Sequence, residues 1–274
     1  MSAEPLLRVV VVTYHPGAAL TALLDSLPAA CAAPYEVVLA DNGGTPDVPG
    51  VRRVPTGGNV GYGRGANAGA AGSPAPWLLV LNQDVVFEPG GVDRMLAAAQ
   101  RWPDGAVFGP LIRDPAGAVY PSARELPSLG RGVGHALLGW WRPDNRWTRG
   151  YRRESAAPAE GSCGWLSGAC MLIRRSAFEQ AGGFDPAYFM FFEDTDLCRR
   201  IGLAGGRSVY VPDAVVHHEE GQARARHPRR MLREHHRSAF RYLRRQYPLL
   251  TPLLAVGLTA RYLVLLAARR DRTD

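Results

Sequence analysis

The sequence predicts an α/β protein with a Rossmann-like mixed sheet flanked by helices, followed by a basic helical tail that meets a membrane. Three observations predict it. Short, continuously apolar, β-branched runs such as Val9 to Val12 suit strands covered on both faces. Stretches with helical spacing separate those runs, and polar residues gather where the strands end, which is where open α/β sheets hold ligands. The chain of 274 residues, 46% hydrophobic, is long enough for one full core with an appendage.

The elements follow in order. Val9 to Val12 runs into Thr13-Tyr14 as a first strand, and Ala18 to Leu27 carries apolar residues at helical spacing. Tyr35 to Ala40 is a second strand ending in Asp41-Asn42-Gly43-Gly44, and Trp77 to Leu81 is another ending in Asn82-Gln83-Asp84. Between them, Gly57 to Gly72 starts as a glycine-rich loop and is expected to turn helical over Ala66 to Ala71. It contains GxGxG, but not directly after the first strand, which disfavours a dinucleotide-binding dehydrogenase. A helix over Val92 to Trp102 precedes the strand VFGPLIRD and a turn at Asp114 to Gly117. Pro121 to Gly161, rich in Arg, Pro, Gly and Trp, reads as a long loop of the kind that covers a binding site. A strand-like pattern returns over Ser162 to Ile173, then a helix over Arg174 to Ala181 stopped by Gly182-Gly183.

Charge is distributed unevenly. All 32 basic residues are Arg, and from Glu219 onward 13 Arg face 5 acidic residues, so the net charge of +7 resides in the C-terminal fifth. Such a tail seeks an acidic surface, either anionic lipid or nucleic acid. Within it, Leu249 to Ala268 has the length of a membrane span, but Pro252, Gly257 and Arg261 argue instead for an interfacial segment on an anionic membrane. The alternative is a helix packed on its own domain or on a second subunit, which leaves a homodimer open. The four Cys lack metal spacing and the N-terminus lacks the pattern of an export signal, so a reduced, cytoplasmic chain is expected.

Carboxylates mark the chemistry. Asp84, at the end of a buried strand, could join a divalent cation to a diphosphate or simply cap a loop. Asp41 and Asn42 could meet a nucleobase or a ribose, or form an ordinary Asx turn. In FMFFEDTDLCRR, Phe189 to Arg200, Glu193, Asp194 and Asp196 stand behind a run of Phe and Met. Asp194, Thr195 or Asp196 could start a helix, while the neighbouring aromatics would raise the proton affinity of Asp194 towards that of a general base. The same aromatics are either core or a platform for a sugar.

The segments VVVVTYH, LADNGG, GGNVGYGRGANAG, LVLNQDV, the block from GWLSGAC through GGFDPAYFMFFEDTDLCRR to HHEEG, and REHHRSAFRYLRRQYP together resemble the family 2 inverting glycosyltransferases of the GT-A fold, in the rhamnosyltransferase-like group. The resemblance runs in order from about residue 8 to 248. It implies a catalytic domain over residues 1–222, with a nucleotide-sugar half to about 115 and an acceptor half beyond it, and a tail over 223–274. Asn82-Gln83-Asp84 takes the place of the family's DxD, with Asp84 as the carboxylate for Mg²⁺ or Mn²⁺ and Asn82 in place of the first acid. A dTDP-sugar, lacking the ribose 2′-hydroxyl, would not need that acid. Asp194 matches the general base, with Glu193 as its orienting neighbour, and one of His217 and His218 reaches the metal or the diphosphate.

The resemblance further implies nucleotide-sugar contacts from Thr13, Tyr14, Asp41, Asn42, Asn59, Gly61, Arg64, Asn67 and Asn82. Acceptor or phosphate contacts fall to Trp165, Gly168, His236 and Arg237. The implied reaction is metal-dependent transfer of L-rhamnose from dTDP-rhamnose to a polyprenyl-diphosphate-linked sugar or glycan, at the inner face of the cell membrane. One base suffices because the metal carries the leaving group, unlike a glycosidase with its two carboxylates. The alternatives are a UDP-galactofuranose or UDP-hexose donor, a nucleotidyltransferase, and a nucleic-acid-binding protein. The nucleotidyltransferase reading lacks its phosphate-binding lysine, and the nucleic-acid-binding reading shows no helix-turn-helix, zinc or RNP pattern.

Overall fold

The computed structural model describes residues 5–128, 158–219 and 228–270. The expected boundary between residues 222 and 223, and most of the long loop after Pro121, lie outside them. The backbone strands are β1 (Leu7–Thr13), β2 (Tyr35–Asp41), β3 (Arg52–Pro55) and β4 (Trp77–Asn82), all parallel in the order β3-β2-β1-β4. Every residue of β1 is buried, as its unbroken apolar run requires. The sheet continues through the antiparallel β11 (Cys170–Arg174), then β6 (Gly105–Arg113), β12 (Arg207–His218) and the short β5 (Val85–Phe87). Short strands β7 (Val119–Tyr120) and β9 (Gly161–Cys163) pair at β6 and β12, while β8 (Ala123–Arg124) and β10 (Trp165–Leu166) form a separate ribbon.

Alternation along the strands builds one core on each face. Val9, Val11, Leu79 and Leu81 pack with α1 (Ala18–Ala30) and α3 (Gly91–Arg101); Val10, Val12, Leu78 and Val80 pack with α2 (Tyr62–Ala70) and, further along, α4 (Arg175–Gln180) and α5 (Glu193–Leu203). Each fully buried Leu or Val contributes about 1.5–3 kcal/mol of transfer free energy. Helix α2 begins at Tyr62, earlier than the glycine content suggests. A Cβ on Gly69 would stand 2.4 Å from Val10 Cγ1, and one on Gly65 3.0 Å from Val12 Cγ1. These glycines therefore let α2 lie against the sheet. The stretch expected as one strand over Ser162 to Ile173 is three short strands in two sheets, broken at Gly164 and Gly168, because a Cβ on Gly164 would strike the backbone of Leu126 at 2.2 Å.

The C-terminus is a helical hairpin. Helix α6 (Pro228–Gln246) is joined by a 3₁₀ turn, Pro248–Leu250, to α7 (Thr251–Arg270). Pro252 sits in the first turn of α7, where its missing N–H leaves no bond unmade, and Gly257 does not interrupt the helix. The run Pro248–Ala268 is long and apolar enough to cross a membrane by length and composition, and none of it is buried. On its inner side α7 touches α6 at His236, whose ring packs on Tyr262 at 5.6 Å and whose Nε2 lies 3.0 Å from Arg261 Nη1.

Candidate active site

The carboxyl ends of β1, β4 and β12 and the start of β11 share one edge of the sheet, and a cavity of about 520 Å³ opens there. Two walls of it carry the chemistry. On the first wall, Val85 of β5 pairs with His218 of β12, and this places Asp84 Oδ1 3.2 Å from His218 Nδ1. Asn82 at the end of β4 approaches His218 Nε2 through its amide at 3.4 Å. Side chains alternate along a strand, so His217 points the other way and pairs with Glu88 at 3.1 Å. Of the two histidines, only His218 lines the cavity.

The second wall is the start of α5. Its N-cap position is Phe192, in the left-handed region with φ 65°, preceded by Phe191 at φ 69°, and no side chain caps the helix. The expected capping role of Asp194, Thr195 or Asp196 therefore gives way to backbone geometry. Two bulky residues at positive φ cost on the order of 1–2 kcal/mol each, a strain that concentrates where positioning matters. His235 of α6 packs against both rings at 5.5 and 5.6 Å. Asp196 instead pairs with Arg200 at 2.7 Å and meets Arg245 at 3.5 Å.

Asp194 is held from both sides. Gly168 N–H donates to Oδ2 at 2.9 Å, and Thr195 donates to Oδ1 from its N–H at 2.7 Å and its hydroxyl at 3.2 Å. Tyr62 O–H donates to the Gly168 carbonyl in turn, which fixes the loop that holds the acid. Glu193 has less help, a hydrogen bond from its own backbone N–H. Its Oε2 is buried without a hydrogen-bond partner among the described residues. Burial, and then the neighbouring Asp194 charge, push its carboxyl well above the usual carboxylate range. Burial also raises Asp194, but its three donors and the charge of Arg124 oppose that rise. Of the two acids, Asp194 is therefore the one whose charged form is favoured by its donors, while burial leaves Glu193 the higher of the pair.

Of the other residues singled out in the sequence, Thr13, Tyr14, Asn42, Asn59, Trp165 and Gly168 line the cavity. Gln83 clasps the backbone of Tyr14 from both sides, accepting from its N–H at 2.6 Å and donating to its carbonyl at 3.2 Å. Asp41 lies outside the cavity as an Asx turn: Oδ1 accepts from Gly43 N–H and from Thr45, and Oδ2 meets Arg53 at 3.3 Å. Asn42 donates from Nδ2 to the Gly61 carbonyl at 3.1 Å, so Gly61 acts through its backbone. Arg64 and Asn67 tie α2 to the GGFD loop, through Pro186 O at 2.6 Å and Phe184 at 2.8 and 2.9 Å. His236 and Arg237 face the groove between α6 and α7, not the cavity.

Two cavity arginines, Arg124 and Arg230, escaped the sequence reading. Arg124 stands with its guanidinium 5.0 Å from the Tyr120 ring and 5.1 Å from Trp165, in a segment without periodicity that could have signalled it. Arg230 and His235 line the cavity from α6, where an Arg-rich run reads as a solvated face.

Among the described residues no cluster of three or more His, Cys, Asp or Glu could hold a metal ion. Asp84 with His218 supplies a hard oxygen and an imidazole facing the cavity. That pair fits a divalent cation whose remaining ligands come from a diphosphate and water.

Comparison with known proteins completes the description. Residues 5–237 match the family model described as glycosyltransferase-like family 2. Over 256 residues, covering 86% of this chain and 83% of the relative, the sequence is 50% identical to an N-acetylglucosaminyl-diphospho-decaprenol L-rhamnosyltransferase of Mycobacterium tuberculosis. It is 43% identical over 82 residues to the rhamnosyltransferase WbbL of Escherichia coli, covering 30% of this chain and 31% of that one. The fold is similar to that of a mannosyltransferase from Pyrobaculum calidifontis solved with GDP-mannose and Mn²⁺. The TM-score is 0.56 and the identity 16%, with 98% of this chain and 76% of that chain covered.

Proposed function

Because this chain belongs to glycosyltransferase family 2, we propose that its cavity transfers L-rhamnose from dTDP-rhamnose to an N-acetylglucosamine carried on a polyprenyl diphosphate, with inversion at the anomeric carbon, at the cytoplasmic face of a membrane. The observation that carries the reading is the meeting of Asp194 with the Asp84 and His218 pair in one cavity beyond the strand ends. The 50% identity to the mycobacterial rhamnosyltransferase supports the choice of donor sugar and acceptor.

Asp194 accepts the proton of the acceptor hydroxyl as that oxygen attacks the anomeric carbon, and the Gly168 and Thr195 donors hold its carboxylate at the attack angle. Glu193, protonated beside it, presents a hydrogen-bond donor to a sugar hydroxyl. Asp84 and His218 would hold Mg²⁺ or Mn²⁺, which neutralises the leaving diphosphate when bound. Asn82 orients His218 and leaves no acid where a ribose 2′-hydroxyl would sit, a fit to a deoxyribose donor. Thr13, Tyr14 and Asn42 line the nucleoside end, and Trp165 with Arg124 lines the acceptor end.

The test is a donor screen on the full chain with a short-chain polyprenyl-diphosphate N-acetylglucosamine as acceptor and Mg²⁺ or Mn²⁺ present. Rhamnosylation from dTDP-rhamnose, with the product's anomeric configuration opposite to the donor's, is the expected result. A preference for UDP-galactofuranose or a UDP-hexose would overturn the donor, and retention of configuration would overturn the single displacement.

A further inference from the structure

Six of the seven arginines of α6 sort into two sets. Arg241 and Arg245 face inward and pair with Asp185 at 3.2 and 2.7 Å, which anchors the helix on the GGFD loop. Arg230, Arg233, Arg237 and Arg244 are exposed, and their spacing of i, i+3, i+7 and i+14 puts them on one face. Among the described residues no carboxylate pairs with Arg230, Arg237 or Arg244, and Arg233 only touches Glu234 at 3.4 Å. Their nearest fixed neighbours are rings: the Arg230 guanidinium lies 4.7 Å over Phe189 and that of Arg244 5.8 Å from Phe240.

The row has a direction. Its first member, Arg230, lines the catalytic cavity with Asp194, and the next two line the groove of about 270 Å³ between α6 and α7. That groove is closed on the far side by Ala255, Leu258 and Tyr262. The opposite side of α7 presents Leu253, Val256, Leu263 and Val264, 55–69% exposed. A ligand that begins as a sugar in the cavity, continues as two phosphates and ends as a hydrocarbon would meet carboxylates, arginines and apolar side chains in that order. An ordinary phospholipid has no group to place in the cavity. Because α7 lies along α6, whose exposed face is cationic, the hairpin suits the plane of a membrane surface rather than its apolar interior.

We infer that Arg230, Arg233 and Arg237 form a diphosphate track for an isoprenoid diphosphate acceptor, with its hydrocarbon chain laid along α7. The inference rests on the acceptor class proposed above and names the residues that select it. One helical turn, about 5.4 Å, separates successive members, so two guanidinium groups can hold the two phosphates together.

The experiment uses full-length protein, the double variant Arg233→Gln/Arg237→Gln, and two acceptors: N-acetylglucosamine on a polyprenyl diphosphate in phosphatidylcholine vesicles, and octyl N-acetylglucosaminide in solution. The variant is expected to raise KM for the lipid diphosphate by about 25-fold, at about fivefold per arginine, with kcat and the octyl acceptor changed less than twofold. Equal losses on both acceptors, or no loss on either, would overturn the track. A binding readout stands apart from activity. Wild-type protein should sediment with phosphatidylcholine vesicles carrying polyprenyl diphosphate more readily than with phosphatidylglycerol vesicles of equal surface charge, and the variant should lose that difference. Equal sedimentation of wild type would mean that the row reads only surface charge, which would also overturn the inference. If wild type glycosylates neither acceptor, the proposed acceptor class fails on its own, while the vesicle comparison still decides the track.

Discussion

The two walls of the cavity handle charge in opposite ways. At the first, Asp84 and His218 are side chains at a strand end, near each other and lining the cavity. At the second, Glu193 is buried and Asp194 half-buried at a helix start, and the backbone and hydroxyl donors gather on Asp194. The lesson is that a leaving group and a nucleophile need different media. A departing diphosphate is matched by positive charge, whereas a base gains proton affinity from dryness.

The largest expected blow to the comparison is Asp194→Asn, which keeps the shape and removes the proton acceptor. Turnover should fall by about 10³-fold or more, while dTDP continues to raise the melting temperature, because the other wall is intact. Near-normal turnover would remove Asp194 as base. Asp84→Asn should lower activity by about 10–100-fold, with partial recovery at raised Mn²⁺, and His218→Ala should behave alike. If neither variant changes its metal dependence, the first wall does not hold the ion.

Glu193→Gln separates burial from charge. The folded chain keeps a proton on Glu193 that the unfolded chain releases above about pH 4.3, so wild-type stability should decline as pH rises above that value and level off once Glu193 ionises in the fold as well. The Gln variant should lack that decline, as read from chemical denaturation at pH 5 and pH 8. A parallel decline in both proteins would show that Glu193 is not the titrating group. The smallest effect is expected from Asn82→Asp, which introduces an acid where the proposed deoxyribose donor would have no use for one. The preference for dTDP over UDP donors should shrink about fivefold, the equivalent of one hydrogen bond. An unchanged ratio would end the deoxyribose explanation.

Much of this was legible in the sequence, and the misses have physical reasons. The strands of β1, β2 and β4 announced themselves because runs buried on both faces leave no polar alternation. The start of α2 was hidden since its glycines, poor helix formers, are required by the 2.4 Å approach to Val10, a fact of packing that no local pattern carries. Adjacent histidines on a strand must point to opposite faces, but only the pairing of β12 with β5 shows that His218 is the inward one. Of the basic run on α6, His236 and Arg237 face the groove towards α7, whereas the neighbouring His235, and Arg230 more than one turn earlier, line the cavity. Helix phase decides which side faces in, and the run of basic residues has too few apolar markers to set it.

The pairing of β12 with β5 has one more consequence, for the order in which the protein comes into being. Asp84 leaves the ribosome early, yet its partner His218 lies more than a hundred residues later and reaches it only when the last strand enters the sheet. Closing so long a loop is slow compared with forming the neighbouring β1, β2 and β4, which pair within the first 82 residues. A nascent or truncated chain ending before residue 218 can therefore form the β1, β2 and β4 part of the sheet without bringing Asp84 and His218 together, and that pair is completed only by β12.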